Sequence, residues 1–202
     1  MRKINEIFYS LQGEGAHTGV PVVFVRFSGC NLRCPFCDTS HENGELLTDS
    51  DIAQFINAYP AEWIVLTGGE PSLFIDEEFI RFLHISTGKK IAIETNGTNP
   101  VPETVDWVTF SPKFGIAGPS DPLAANLRLR MAHEIKVVDL GQDLEPYFLL
   151  PQVTSLTRMF LQPCFTPDPV QFRSNIHRTV ERVKADPRWQ LSAQLHRFLS
   201  IP

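Results

Sequence analysis

Residues 21–37 read PVVFVRFSGCNLRCPFC, in which an apolar run leads directly into three cysteines. The β-branched and aromatic residues of this run predict a strand over Pro21–Phe27. The same arrangement recurs at residues 63–71, WIVLTGGEP, where a strand predicted over Trp63–Thr67 ends in glycines and a glutamate. Further strands are predicted at Lys90–Glu94, Trp107–Ser111, Glu134–Val138, Met159–Gln162 and Trp189–Ala193.

Amphipathic stretches alternate with these strands along the chain. They predict helices over Asp49–Ala58, Asp76–Thr87, Gly141–Leu149 and Pro169–Ala185. Thr48, followed three residues later by Asp51, predicts a capping box at the start of the first helix. Alternating strands and helices indicate a parallel sheet with right-handed crossovers. We therefore expect an α/β fold, either an incomplete (βα) TIM-like barrel with parallel strands or, as the second choice, an open doubly wound sheet.

Polar or Gly/Pro-rich segments follow the predicted strands, and their positions favour the barrel. These segments are Gly29–Asp38, Thr67–Pro71, Glu94–Thr98, Ser111–Lys113 and Gln162–Cys164. In a (βα) barrel the carboxyl ends of the strands converge on one rim, where active sites are built. The sequence therefore predicts one pocket in a single domain that spans residues 1–202.

Charge and hydropathy exclude several classes of protein. The net charge is −5, with acids and bases mixed along the chain, which argues against a nucleic-acid groove and against binding to anionic membranes. No apolar run approaches the ~20 residues of a membrane span, and the opening residues lack the apolar core of a signal peptide. We therefore expect a cytoplasmic location, where cysteines stay reduced.

The cysteines Cys30, Cys34 and Cys37 have the spacing C-x3-C-x2-C. Thiolates are soft ligands that suit an iron–sulfur cluster or zinc. A structural zinc site takes four ligands, usually in two pairs, and His41 or Cys164 could complete such a set. A [4Fe-4S] cluster on three thiolates instead keeps one iron without a protein ligand, open to a chelating cofactor. The spacing alone leaves both alternatives open.

Together, the cysteine loop and the Gly-Gly-Glu-Pro segment one βα unit later resemble the radical S-adenosylmethionine (SAM) superfamily. The resemblance implies that the open iron of a [4Fe-4S] cluster is chelated by the amino and carboxylate groups of SAM. It also implies that Phe36 packs near the adenine and that Glu70 accepts hydrogen bonds from the SAM amino group.

Further motifs are similar to one branch of that superfamily, the 7-carboxy-7-deazaguanine synthase family of queuosine (7-deazapurine) biosynthesis, a pathway of tRNA modification. They are Gln12-Gly13-Glu14-Gly15, Cys37-Asp38-Thr39, Ser111-Pro112-Lys113 and the ending Leu191–Pro202. The resemblance runs from about residue 4 to the C-terminus, is most specific in the first third and is weak over residues 115–158. It implies a lyase that converts 6-carboxy-5,6,7,8-tetrahydropterin to 7-carboxy-7-deazaguanine and ammonia by radical ring contraction. It also implies Mg2+, a flavodoxin-like electron donor and a homodimer.

Site residues are carried over from the resemblance position by position. The residues expected to bind SAM are Phe36, Cys37, Asp38, Gly69, Glu70, Glu94, Ser111, Pro112, Lys113, Leu161, Gln162, Pro163 and Cys164. Those expected to bind substrate are Leu11, Gln12, Gly13, Glu14, Arg26, Thr67, His196 and Pro202, with the tail of residues 189–202 docking into the substrate pocket. Thr39 is the expected magnesium ligand, alongside the cluster ligands Cys30, Cys34 and Cys37.

Several of these positions also have plainer interpretations. Arg26 is the only charge in the first predicted strand and could form a buried ion pair, although a guanidinium also suits a substrate carboxylate. Glu94 and Asn96 could belong to a turn set by Asn-Gly. Cys164 is interpreted as a small apolar residue rather than a cluster ligand, and the tail could simply be frayed. A glycyl-radical-enzyme activating enzyme is the alternative function, because it shares the cysteine and Gly-Gly-Glu motifs.

Overall fold

A nine-stranded sheet forms the framework of the described part of the chain. The computed structural model describes residues 1–37, 39, 43–113 and 126–202. The strands are β1 (Arg2–Leu11), β2 (Pro21–Phe27), β3 (Glu45–Leu47), β4 (Trp63–Gly68), β5 (Lys90–Thr95), β6 (Trp107–Phe110), β7 (Glu134–Asp139), β8 (Arg158–Pro163) and β9 (Gln190–Leu191). Their order across the sheet is β3-β1-β2-β4-β5-β6-β7-β8-β9.

Helices and short 3-10 turns connect the strands. The helices are α1 (Asp49–Asn57), α2 (Glu77–Thr87), α3 (Glu145–Phe148), α4 (Pro169–Ala185) and α5 (Leu195–Leu199), and the 3-10 turns are Gly15–His17 and Pro71–Leu73. The predicted capping box is confirmed: Thr48 Oγ1 accepts from the Asp51 N–H and the Asp51 carboxylate accepts from the Thr48 N–H. None of the helices in the described part of the chain has the length and apolarity needed to cross a bilayer.

The strand order confirms the incomplete (βα) barrel. Strands β2 and β4 to β9 pair in parallel from neighbour to neighbour, and β3 and β9 form the two edges of the open sheet. Strands β1 and β3 were not predicted, and both of β1's pairings are antiparallel. The register of β1 shifts between Ile4 and Glu6, so its apolar residues do not keep the strict alternation by which strands are recognised.

Two other segments differ from their predicted lengths. The helix predicted over Gly141–Leu149 is only Glu145–Phe148. Its first residues instead form a turn, in which the Asp139 carboxylate accepts from the Gly141 N–H at 2.9 Å. The strand predicted over Trp189–Ala193 contains only two paired residues, and it is followed by helix α5, which was not predicted.

The two faces of the sheet have different roles. Alternate residues such as Val25, Leu66 and Ile93 are fully buried in the main hydrophobic cluster, which also contains residues of α1 and α2. Val22, Val65 and Ala92 belong to a second, smaller cluster together with Trp63 and Trp107. Because side chains alternate along a strand, this second face continues towards the carboxyl ends of the strands as Arg26, Thr67, Glu94, Lys136 and Gln162.

The first 3-10 turn closes the apolar end of this second face. The His17 ring contacts the Trp63 and Trp107 rings, with centroids 4.6 and 4.7 Å apart. The Glu134 carboxylate accepts from the Ala16 N–H at 2.8 Å. Gly15 has φ +63°, and a Cβ added there would lie 2.3 Å from Glu134 Oε1. The glycine that ends Gln12-Gly13-Glu14-Gly15 therefore lets the chain enter the barrel and present Glu14 to its interior.

Candidate active site

One cavity of about 510 Å³ opens at the carboxyl ends of the parallel strands. It brings together both groups of predicted residues. From the SAM group it is lined by Phe36, Cys37, Gly69, Glu70, Glu94, Ser111, Lys113, Gln162, Pro163 and Cys164, and from the substrate group by Leu11, Gln12, Gly13, Glu14, Arg26, Thr67, His196 and Pro202. Cys30, Cys34 and Thr39 line it as well. The predicted rim is thus one continuous site.

Three predicted SAM residues are not in this lining. Pro112 and Leu161 are buried and contribute no surface to the cavity. Asp38 lies outside the described residues, as does His41, the residue considered as a zinc ligand.

The cysteine loop is packed against the Gly-Gly-Glu segment. The Glu70 N–H donates to the Gly29 carbonyl at 2.9 Å, and the Gly69 N–H donates to the Phe27 carbonyl at 3.0 Å. A Cβ added at Gly69 would lie 1.9 Å from the Gly29 oxygen. Gly69 is therefore required by the close approach of two backbone segments, which fixes the position of Glu70 relative to the cysteines.

The Glu70 carboxylate is buried and accepts hydrogen bonds from several protein groups. Its Oε1 accepts from the Ser72 N–H and hydroxyl and from the Thr95 hydroxyl, at 3.1, 2.6 and 2.6 Å. Its Oε2 accepts from the Asn96 N–H at 2.7 Å. Only one of these four donors is on Oε2, so Oε2 is the oxygen with room for a further donor, such as an ammonium in the cavity.

The three cysteines of the motif are free thiols at the cavity surface. Burial raises the pKa of Cys30 and of Cys34; the charges of Glu70, Cys34 and Cys37 add to the rise at Cys30, and the charge of Cys37 adds to the rise at Cys34. No three His, Cys, Asp or Glu side chains of the described residues are grouped closely enough to hold a single metal ion. Three thiolates are soft donors that suit iron, so the donor set fits an iron–sulfur cluster.

A charged cluster lies deeper in the cavity, between β5, β7 and the segment before the first 3-10 turn. Lys136 Nζ donates to Glu14 Oε2 at 2.5 Å and to Glu94 Oε2 at 2.8 Å. Gln162 and Gln194 donate to Glu14 Oε1 at 3.1 and 2.9 Å. Two carboxylates therefore share one ammonium and are further oriented by neutral amides.

The two carboxylates of this cluster have very different acidities. Burial opposes ionisation of Glu14, but the Lys136 ammonium outweighs it and lowers the Glu14 pKa to about 2. Burial raises the pKa of Glu94 to about 7, with Lys136 opposing the rise and the charges of Glu14 and Glu134 adding to it. Burial also opposes the charge of Lys136, yet Glu14 and Glu94 together raise its pKa above the usual value. Glu94 is therefore the less acidic of the two carboxyls.

Arg26 forms an ion pair, although not the buried one that the sequence allowed. Its Nε donates to Glu6 Oε1 at 2.6 Å, and Glu6 is half exposed. The guanidinium also lies 5.5 Å from the Phe8 ring centre. No hydrogen bond from its two terminal Nη groups is found among the described residues, so they are available to a ligand in the cavity that Arg26 lines.

The C-terminal segment is held against the start of the chain. The Leu195 N–H donates to the Gly13 carbonyl at 2.9 Å. The Ser10 hydroxyl donates to the terminal Pro202 oxygen at 2.7 Å. Helix α5 and the last residue therefore form part of the cavity wall.

Lys136 and Gln194 are two site residues that the sequence did not reveal. Lys136 is the more informative of the two. It lies within the predicted strand Glu134–Val138 and is only 6% exposed. The available signal was a lysine inside an otherwise apolar strand, the same signal that drew attention to Arg26.

Comparison with known proteins agrees with this geometry. The family model of the radical SAM superfamily matches residues 24–108, which include the cysteine loop and the Gly-Gly-Glu segment. The fold and the site thus define a radical SAM enzyme.

Relatives that match over the whole chain define the family within that class. The chain is 51% identical over 201 residues to a 7-carboxy-7-deazaguanine synthase of Bacteroides thetaiotaomicron, covering 100% of this chain and 99% of the relative. It is 37% identical to a protein of the same name from Burkholderia multivorans, covering 98% of each. The chain belongs to the 7-carboxy-7-deazaguanine synthase family. A solved relative, QueE from Escherichia coli, superimposes with a TM-score of 0.72 at 28% identity, covering 96% of this chain and 94% of that one.

Proposed function

We propose that this protein converts 6-carboxy-5,6,7,8-tetrahydropterin to 7-carboxy-7-deazaguanine and ammonia, as a step of queuosine and other 7-deazapurine biosynthesis. The observation that carries the proposal is that one cavity joins the cysteine loop to a second set of polar groups, Arg26, Glu14 and Lys136 among them. A cavity of this composition can hold a cofactor at the cysteines and a small polar substrate beside it. The synthase relatives do not favour the activating-enzyme alternative.

Cys30, Cys34 and Cys37 would hold a [4Fe-4S] cluster with SAM on its open iron. When bound, the two groups supply the radical that removes a hydrogen atom from the substrate. Glu70 would accept a hydrogen bond from the SAM amino group through Oε2. Phe36 and Lys113, whose ammonium lies 5.7 Å from the Phe36 ring centre, would form the wall along the adenosine. Ser111, Pro163 and Cys164 extend that wall, and Gln162 lies where it meets the substrate side, since it also donates to Glu14.

The substrate would lie on the other side of the cavity. The Nη edge of Arg26 offers a bidentate site for the pterin carboxylate. Glu14 is ionised over the whole working pH range because its pKa is about 2, and so it can accept N–H groups of the heterocycle. The Glu94 carboxylate is bound to Lys136 and accepts from Gln12 Nε2 at 3.3 Å. We therefore assign Glu94 to the substrate side rather than to SAM.

The proposal includes Mg2+ at Thr39, which lines the same cavity. Magnesium prefers oxygen ligands and keeps waters or substrate oxygens in its shell, so one protein hydroxyl beside the substrate carboxylate is a chemically reasonable set. A flavodoxin-like electron donor, a homodimer and a cytoplasmic location complete the proposal. They are supported by the family and by a cysteine set that must stay reduced to bind iron.

A product assay tests the function directly. We expect the anaerobically reconstituted protein, given SAM, a reductant, Mg2+ and the carboxytetrahydropterin, to release 7-carboxy-7-deazaguanine and an equal amount of ammonia. Chromatography of the reaction mixture, with SAM and substrate consumption followed in parallel, measures this. SAM cleavage without any deazaguanine would refute the proposed substrate while leaving the enzyme class intact.

Removal of Pro202 is expected to weaken substrate use more than SAM cleavage. The terminal carboxylate is held by Ser10 at the cavity wall, and its deletion moves the negative charge to another position. We expect the KM for the pterin to rise about tenfold, the effect of losing one charge-assisted contact. Uncoupled SAM cleavage should stay within twofold of wild type. The matched control is Pro202→Ala, which keeps the terminal carboxylate in place. Equal loss of both activities, or no loss, would show that the tail plays no part in substrate binding.

A further inference from the structure

Lys136 is a buried lysine to which the proposed function assigns no direct contact with cofactor or substrate. It lies on the cavity side of β7, and its ammonium contacts carboxylates from two other parts of the chain. All three side chains line the cavity. The Lys136 side chain therefore belongs to the wall of the cavity and not to the hydrophobic core.

The arrangement of acceptors around Lys136 is specific. One oxygen of each carboxylate is bound to Nζ. The other oxygen of Glu14 accepts from Gln162 and Gln194, and the other oxygen of Glu94 accepts from Gln12. Two carboxylates that share one hydrogen-bond donor lie side by side, and without a cation between them both cannot stay ionised in a buried site.

We propose that Lys136 is a positioning residue for substrate specificity, holding Glu14 and Glu94 side by side as a paired acceptor for a heterocycle edge that carries several N–H groups. This inference rests on the proposed function, since such an edge is presented by the aminopyrimidinone half of a pterin. The pair selects for N–H donors because Glu14 and Glu94 both present carboxylate oxygens that the lysine and the amides hold in place. A ring edge with acceptors at those positions would face repulsion.

The charged groups around Glu14 and Glu94 determine how substrate affinity should depend on pH once Lys136 is removed. Glu14 faces Lys136 and His196, and Glu94 faces Lys136, Glu14 and Glu134. Without Lys136 the burial of Glu14 is no longer offset, and its pKa must rise towards neutrality. Glu14 then carries a proton at lower pH and loses acceptor capacity, so substrate affinity should recover as the pH increases.

A charge-neutral comparison tests this inference. Glu94→Gln leaves a simple Lys136–Glu14 pair, and Lys136→Met combined with Glu94→Gln removes one cation and one anion together. We expect the double variant to bind the carboxytetrahydropterin at least tenfold more weakly than Glu94→Gln at pH 6.5, with the gap closing towards pH 8.5. SAM affinity should remain within twofold. Lys184→Met, which removes an exposed lysine of α4, is the matched control and should change neither affinity.

Equilibrium binding of substrate and of SAM to the anaerobic holoenzyme gives the required readouts. A folded double variant that binds substrate as Glu94→Gln does at every pH would overturn the proposal, as would a deficit that does not vary with pH. As a second measurement, the side-chain amine signal of Lys136 can be followed by ¹⁵N-lysine NMR in the wild-type holoenzyme. Substrate should shift this signal and SAM alone should not; an unchanged signal on substrate binding also overturns the proposal.

Turnover by the wild-type enzyme separates this inference from the function on which it rests. Absence of deazaguanine product from wild type contradicts the proposed function. Normal product formation by wild type, together with pH-independent binding in the variants, contradicts only the role of Lys136.

Discussion

Cys34→Ala is expected to yield a colourless protein without measurable SAM cleavage. Cys34 is the middle residue of the cysteine motif, and it lines the cavity with Cys30 and Cys37. Two thiolates cannot retain a cubane cluster that depends on three protein ligands. We expect the iron and sulfide content to fall to background and 5′-deoxyadenosine production to cease, measured on anaerobically purified protein.

Cys164→Ala is the matched control for this experiment. Cys164 lines the same cavity, but its carbonyl oxygen is bound by the Asn175 amide at 2.8 Å, and it lies outside the motif. The control should keep its brown colour and most of its SAM cleavage. A Cys34→Ala protein with full iron content and full activity would refute the assignment of the cluster to the motif cysteines, and zinc in the wild-type protein would refute the cluster itself.

Gly69→Ala is expected to damage the site almost as severely, for a steric reason. The added methyl group would lie 1.9 Å from the Gly29 carbonyl oxygen, which is backbone and cannot rotate away. Overpacking of this kind lowers the free energy of unfolding by ~3 kcal/mol. Because a chain of this size loses roughly 2–4 °C of melting temperature per kcal/mol, we expect a decrease of about 6–12 °C.

Gly69→Ala should also increase the distance between the cysteine loop and the Gly-Gly-Glu segment, which together form the cofactor site. Relief of the clash moves the Gly-Gly-Glu segment away from the cysteine loop, and Glu70 moves with it, so SAM affinity should fall by at least tenfold. Calorimetry and SAM binding measure the two effects.

Gly88→Ala is the control: Gly88 has φ +67° at the end of α2 but nothing lies within 4 Å of its added Cβ. It should cost about 1 kcal/mol and leave SAM binding unchanged. A stable Gly69→Ala protein with normal SAM affinity would contradict the packing argument.

Much of the fold could be predicted because the parallel strands carry a strong local signal. Pro21–Phe27 is a nearly continuous apolar run and was predicted with its observed ends. Helices α1 and α2 were predicted from amphipathic periodicity, and the start of α1 also from the capping box of Thr48 and Asp51; both signals act locally. The sequence was less informative where pairing is decided by distant residues. β1 alternates imperfectly and is defined by its pairing with β2 and β3, and α5 is held in place by Gly13.

The residues of the site also fall into those that local sequence identifies and those that only tertiary contacts bring together. The sequence by itself determined the identity and spacing of the cysteines, the Gly-Gly-Glu segment and the strand-end positions of most lining residues, because these depend on short runs of chain. Only the tertiary structure decided that Glu94 lies beside Glu14, that a lysine from β7 lies between them and that Gly69 contacts the carbonyl of Gly29. The physical reason is that ion pairing in a buried cavity and contact between backbones depend on distances between segments remote in sequence, which no local pattern encodes.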